Sequence, residues 1–211
     1  MKITELVFVI DKSGSMSGLE DETIKGFNEL LKKQKKENDK ALITTIFFNT
    51  TMQFINERKD INEVKEITLN DYRVGGCTAL LDAIGNAINY IYNNQINDKV
   101  NEYNNMVVII TDGLENSSKE FSYEKINSLI NKKQKKEEWQ FIFLGANIDV
   151  IKEANKMGIA SDNAVSYNND ARGVKLNYEA ISLAISDVRS NKKLSKKWRS
   201  EIDNDFKKRN I

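Results

Sequence analysis

Three short segments of this chain carry oxygen-bearing side chains at spacings that suit a small, hard cation. Asp11, Ser13 and Ser15 alternate along the first, with Gly14 free to fold the backbone tightly between the serines. Gly75, Gly76, Cys77 and Thr78 bring a hydroxyl to the start of a helical pattern, and Thr111, Asp112 and Gly113 close an apolar run with a carboxylate. The first segment alone is a weak signal, because small polar residues after a strand are more often a turn whose serine caps the next helix. The three together offer Asp11 and Asp112 as carboxylates and Ser13, Ser15 and Thr78 as hydroxyls. That all-oxygen set suits Mg2+, which takes one or two carboxylates and retains water, with Mn2+ or Ca2+ as substitutes. Two carboxylates just balance a dication, and neutral hydroxyls donate little charge to it. The expected ion therefore stays electrophilic and accepts a further carboxylate from outside.

Composition removes the main competing chemistries. The chain of 211 residues contains no histidine, which eliminates Ser-His-Asp and Cys-His catalysis, histidine general bases and His-ligated zinc. Its 32 Lys and Arg balance 31 Asp and Glu, so no global field announces nucleic acid or membrane as a partner. A lone cysteine, Cys77, cannot form an internal disulfide, and without a cationic neighbour it reads as a small packed residue. Leu6–Ile10 is too short for a signal-peptide or membrane segment, so the expected compartment is the cytoplasm.

The elements that would position the three segments follow from periodicity. Leu6–Ile10 and Met106–Ile110 are continuous apolar runs of the kind found in parallel strands covered on both faces. Ala41–Phe48 and Met52–Ile55 flank the turn-prone Asn49, Thr50 and Thr51, which predicts a hairpin adding one antiparallel edge strand. Helices are expected around Ile24–Leu31, Ala79–Tyr92, Tyr123–Lys136, Ile148–Met157 and Val174–Val188, with further strands at Trp139–Leu144 and Ala164–Tyr167. Alternation of this length specifies an α/β fold, a doubly wound, mainly parallel sheet whose ligand crevice lies at the carboxyl ends of the strands. All three polar segments fall at that edge. The repeated Lys, Lys, Gln, Lys, Lys, Glu run near Glu37 and Glu137 falls at helix ends on the opposite edge and reads as solvated, dipole-compensating charge.

Asp11-Lys12-Ser13-Gly14-Ser15, Thr78 and Asp112-Gly113 resemble the metal-ion-dependent adhesion site of von Willebrand factor type A domains, including their intracellular, stand-alone bacterial members. The resemblance spans roughly Ile3 to Arg189. It implies a three-layer, Rossmann-like sheet with helices on both faces, occupying residues 1–190. It also implies that Ser13 and Ser15 bind the metal directly, Thr78 directly or through water, and Asp11 and Asp112 mainly through water, with a partner protein's Asp or Glu completing the sphere. The expected function is a metal-dependent protein-binding adaptor rather than an enzyme.

The rival reading is a Mg2+-dependent phosphatase or phosphotransferase with Asp11 as phosphoryl acceptor. Such a site wants a second carboxylate two residues on, where Ser13 stands. Ser122 to Lys125 and Ser161-Asp162-Asn163 imitate β-lactamase motifs, but they fall on opposite edges of the sheet, and Ser122 reads as a helix cap. The segment 191–211 places Leu194, Trp198, Ile202 and Phe206 at every fourth position among lysines and arginines, a basic amphipathic helix over 192–209. Packing on its own domain is favoured for this stripe, ahead of a second partner contact or a membrane surface.

Overall fold

The computed structural model describes residues 2–192 and 194–210, so Lys193, expected on the basic side of the last helix, lies outside the described residues. The first strand, β1 (Ile3–Asp11), is buried along its whole length. Its side chains alternate, with Leu6, Phe8 and Ile10 entering one core and Val7 and Val9 the other. That double burial is why the run is continuously apolar. Strands β2 (Ala41–Phe48), β3 (Met52–Asp60), β4 (Tyr103–Thr111), β5 (Gln140–Gly145) and β6 (Ala164–Ser166) complete a six-stranded sheet in the order β3-β2-β1-β4-β5-β6. All neighbours are parallel except β2 and β3, which form the expected antiparallel hairpin at the edge.

Strand β3 runs to Asp60 rather than ending at Ile55. Its second half is polar and half-buried, as an edge strand permits, so hydrophobic alternation gave no sign of it. Arg58 there has φ 45° beside a register shift, and it sends its guanidinium to the buried Glu5 at 2.8 Å.

Helices α1 (Glu20–Gln34) and α5 (Ala171–Arg189) cover one face of the sheet, while α2 (Leu80–Gln95), α3 (Tyr123–Glu137) and α4 (Val150–Lys156) cover the other. Acidic Glu20, Asp21 and Glu22 open α1 and Lys32 and Lys33 close it, matching the helix dipole. Ser122 caps α3 by accepting from the Lys125 amide. The lysine-rich end of α3 is less solvated than expected. Lys133 is buried, with Nζ 3.3 Å from the centre of the Tyr92 ring and 2.8 Å from Glu137.

The tail does not form one helix over 192–209. Asn191, at φ 54°, turns the chain out of α5, and Ser195 is extended; a 3-10 turn (Lys196–Arg199) then leads into α6 (Ser200–Arg209). Trp198 and Ile202 are buried in the core cluster shared with α1 and α5, and Leu194 packs against it. The stripe therefore faces its own domain. Among the described residues, no helix is long and apolar enough to cross a membrane. Trp198→Ala is expected to cost about 3–5 kcal/mol of unfolding free energy, as for other large aromatic truncations in cores. A denaturation midpoint equal to wild type would contradict the packing of the tail on the domain.

Candidate metal centre

The site sits where the chain reverses its direction of sheet building. From β1 the chain goes outward to β2 and β3, and the later strands then build from the other side of β1. The carboxyl ends of β1 and β4 flank this switch point, where open α/β sheets leave a crevice. In-register pairing of Ile10 with Ile110 brings Asp11 level with Thr111 and Asp112.

Asp11 is fixed from three directions. Its Oδ1 accepts from the Ser13 amide at 2.6 Å, its Oδ2 accepts from Thr111 Oγ1 at 2.6 Å, and its backbone carbonyl accepts from Tyr72 Oη at 2.5 Å. Ser15 Oγ donates to Asp112 Oδ1 at 2.5 Å and lies 3.1 Å from Ser13 Oγ. The glycine loop brings in the fifth residue. Gly75 donates to the Lys12 carbonyl at 2.8 Å and Gly76 accepts from the Gly14 amide at 3.1 Å. Gly75 and Gly76 have φ 150° and 81°, conformations that side-chain-bearing residues rarely adopt. Thr78 follows, its amide held by Asn116 Oδ1 at 2.8 Å. A Cβ placed on Gly113 would stand 3.3 Å from Thr78 Oγ1 and 3.4 Å from Ser15 Oγ, so both hydroxyls converge on space that glycine keeps open.

All five expected residues thus meet in one place. Asp11 is 0% exposed, Ser13 2%, Thr78 3% and Asp112 2%, whereas Ser15 opens to solvent. Among the described residues, no lysine or arginine pairs with either carboxylate. Lys12, the nearest in sequence, donates instead to Gln53 at 2.8 Å. Buried carboxylates without a protein cation are costly unless a metal neutralises them. Burial pushes the Asp11 carboxyl above its usual range, with the neighbouring Asp112 adding to the effect, while bonds from Thr111 and Ser13 oppose it. The donor set fits a hard divalent cation on these grounds.

Sequence reasoning missed several supporting groups. Tyr72 lies in the irregular stretch before the glycine turn, and Asn169, which donates to Asp112 Oδ2 at 3.0 Å, lies in a polar loop without periodic signal. Only Thr111, adjacent to Asp112, stood within a recognised segment. Cys77 is exposed, not packed, because the left-handed Gly76 turns it outward while Thr78 turns in. Asp82 and Glu115 are structural: Asp82 accepts from the amides of Lys119, Glu120 and Phe121, and Glu115 from Leu81, Ser117 and Ser118. Ser122 and Ser161 do not meet; one caps α3 and the other opens the 3-10 turn before β6.

A model of the von Willebrand factor type A domain matches residues 5–179. Among solved structures, proximal thread matrix protein 1 from the mussel byssus, with a zinc-occupied MIDAS motif, aligns at 17% identity and TM-score 0.60, over 86% of this chain and 45% of that one. A von Willebrand factor type A protein from Catenulispora acidiphila aligns at 12% identity and TM-score 0.57, over 87% of this chain and 42% of that one. A mutant of the PilB minor pilin from Streptococcus sanguinis aligns at 12% and 0.59, over 90% and 62%. This chain therefore spans about half the length of the first two, and at these identities the likeness is one of fold. No curated protein matches it.

The raised Asp11 carboxyl has a consequence for stability with the sign fixed by linkage. A group whose pKa rises on folding stabilises the fold below the ordinary carboxylate pKa, and that contribution is lost as pH rises through the folded value. In chelator at pH 7, Asp11→Asn is expected to melt higher than wild type, since the amide keeps the acceptor for Ser13 without the charge. The gain should vanish near pH 4, about the ordinary aspartate value. A lower melting temperature for the variant at pH 7 would contradict the uncompensated charge.

Proposed function

From the premise that the chain belongs to the von Willebrand factor type A family, we propose that it is a metal-dependent protein-binding module rather than an enzyme. The observation that carries this reading is the buried, unpaired carboxylate couple of Asp11 and Asp112 beneath three convergent hydroxyls. Ser13, Ser15, Thr78, Asp11 and Asp112 would hold the ion in the manner of a metal-ion-dependent adhesion site. Oxygen-only donors and the absence of histidine favour Mg2+. The mussel relative's zinc-occupied motif supports a divalent site in this fold and makes zinc the metal to compete against.

A bound dication would supply a positive charge, only just balanced by the two carboxylates, that takes an Asp or Glu carboxylate from a partner protein. The chain's own residues prepare that contact. Tyr72 and Thr111 hold Asp11 so that it neutralises charge from beneath, and Ser15 stands at the open side, where a partner arrives. Both Asp11 oxygens are engaged and the residue is buried, which supports a holding role over attack on a phosphoryl group. A cytoplasmic setting, in keeping with the single unpaired cysteine, belongs to the same reading.

Calorimetric titration with Mg2+ and Mn2+ tests the metal. The wild type is expected to bind one equivalent, and Gly113→Ala, which puts a methyl between Ser15 and Thr78, to bind at least about tenfold more weakly with its melting curve in chelator unchanged, the scale of losses seen when a metal site is perturbed. No binding by the wild type would contradict the site. Affinity capture in Mg2+ against chelator tests the docking, with Asp112→Ala as control. Capture should require the metal and the aspartate; equal capture in chelator would exclude a metal-bridged carboxylate.

A further inference from the structure

The loop between β6 and α5 touches the candidate metal centre and the C-terminal helix at the same time. Asn169 donates from Nδ2 to Asp112 Oδ2 at 3.0 Å, while Ser15 takes the other oxygen, Oδ1. The Asn169 Oδ1 is buried without a partner, so beyond the bond to Asp112 no hydrogen bond of its own side chain fixes its orientation. What does hold it is its two neighbours, each tied to α6. Asn168 Nδ2 donates to Asp205 Oδ2 at 3.1 Å, and Asn168 Oδ1 accepts from Asn210 Nδ2 at 2.7 Å. Asp170 is paired with Arg209, whose other arm lies 3.0 Å from Asp205.

Two features distinguish this arrangement from the ordinary fastening of a tail. Trp198 and Ile202 already anchor the segment in the core, so α6 does not need the loop in order to dock. Asp205 is also buried, 5% exposed, although charged; its Oδ2 accepts from Asn168 and Arg209, while the exposed Arg172, in the first turn of α5, lies 2.8 Å from its Oδ1 as an ion pair without a hydrogen bond. A buried carboxylate at the centre of a network makes the geometry of that network stiff, because each lost bond leaves a charge uncompensated. The stiff network closes on both sides of one residue, and that residue holds Asp112.

We propose that α6 is a positioning element of the metal centre: through Asn168 and Asp170 it fixes Asn169, which orients the Asp112 carboxylate for the ion. The inference rests on the metal-binding reading and adds to it a role for a helix outside the stretch matched by the family model, which ends at residue 179. Groups that orient a metal ligand from behind cost about 10- to 100-fold in affinity when removed. Coupling of this kind is reciprocal, so binding of the ion must in turn steady the helix.

The test is Mn2+ affinity by calorimetry for the wild type, Asn169→Ala, Arg209→Ala and the double variant, with amide exchange of residues 200–209 measured on the same proteins. Asn169→Ala is expected to weaken Mn2+ binding about tenfold. Arg209→Ala should weaken it several-fold, and the double variant should bind no more weakly than Asn169→Ala alone, because both act through one bond. Saturating Mn2+ should slow exchange across α6 in the wild type and leave it unchanged in Asn169→Ala. Additive losses, an Arg209→Ala affinity equal to wild type, or α6 exchange indifferent to Mn2+ would each overturn the positioning role while leaving the metal site standing. A wild type that does not bind Mn2+ would remove both.

Discussion

The hydrogen bond from Thr111 to Asp11 ties the two central strands together at the level where the sheet ends, and the functional reading depends on it. It joins the halves of a sheet that grows outward in both directions from β1 and β4. With its second oxygen on the Ser13 amide and its carbonyl on Tyr72, Asp11 has no freedom to swing towards solvent. A charge is thereby fixed inside the protein at the floor of the crevice. The surrounding loops are arranged about that charge. The serine loop arches over it, the glycine loop delivers Thr78, and Gly113 leaves the space between them open.

Electrostatics and topology act on the same point. Parallel strands of this length are buried on both faces, so a carboxylate at their end is desolvated by its position alone. Desolvation raises Asp11, and among the described residues no basic side chain pairs with it or with Asp112 to offset that burial. The contrast within the molecule is informative. Buried Glu5, on the same strand, has Arg58 at 2.8 Å, and buried Asp205 has Arg209 at 3.0 Å. The remaining buried carboxylate among the described residues, Glu153, has Lys156 at 2.7 Å, so each one away from the crevice has a basic partner; at the crevice the protein supplies hydroxyls, which suit a cation from solution.

The parts of this design legible in sequence are those written in periodicity and in adjacency. Continuous apolar runs marked β1 and β4, and the Asp-x-Ser-x-Ser, Thr and Asp-Gly segments stood at predictable strand or helix ends. The polar half of β3 and the start of β4 at Tyr103, Asn104 and Asn105 were not legible, because edge position and side-chain amide bonding replace hydrophobic burial there. Tyr72 and Asn169 were hidden for a different reason: each reaches the site across the fold, 61 and 57 residues from its bonding partner. The tail was legible as a stripe but not as a broken element, since the left-handed turn at Asn191 and the 3-10 turn at Trp198 depend on what they dock against.

Both the protein-binding role and the positioning role of α6 require that the space above Gly113 be a cation site. Crystals grown with Mn2+ and measured at a wavelength where manganese scatters anomalously would locate the ion without assumption. A single strong anomalous peak is expected among Ser13, Ser15 and Thr78, with Asp11 and Asp112 beside it. A map without a peak there, at a Mn2+ concentration that saturates the protein in solution, would contradict the cation site.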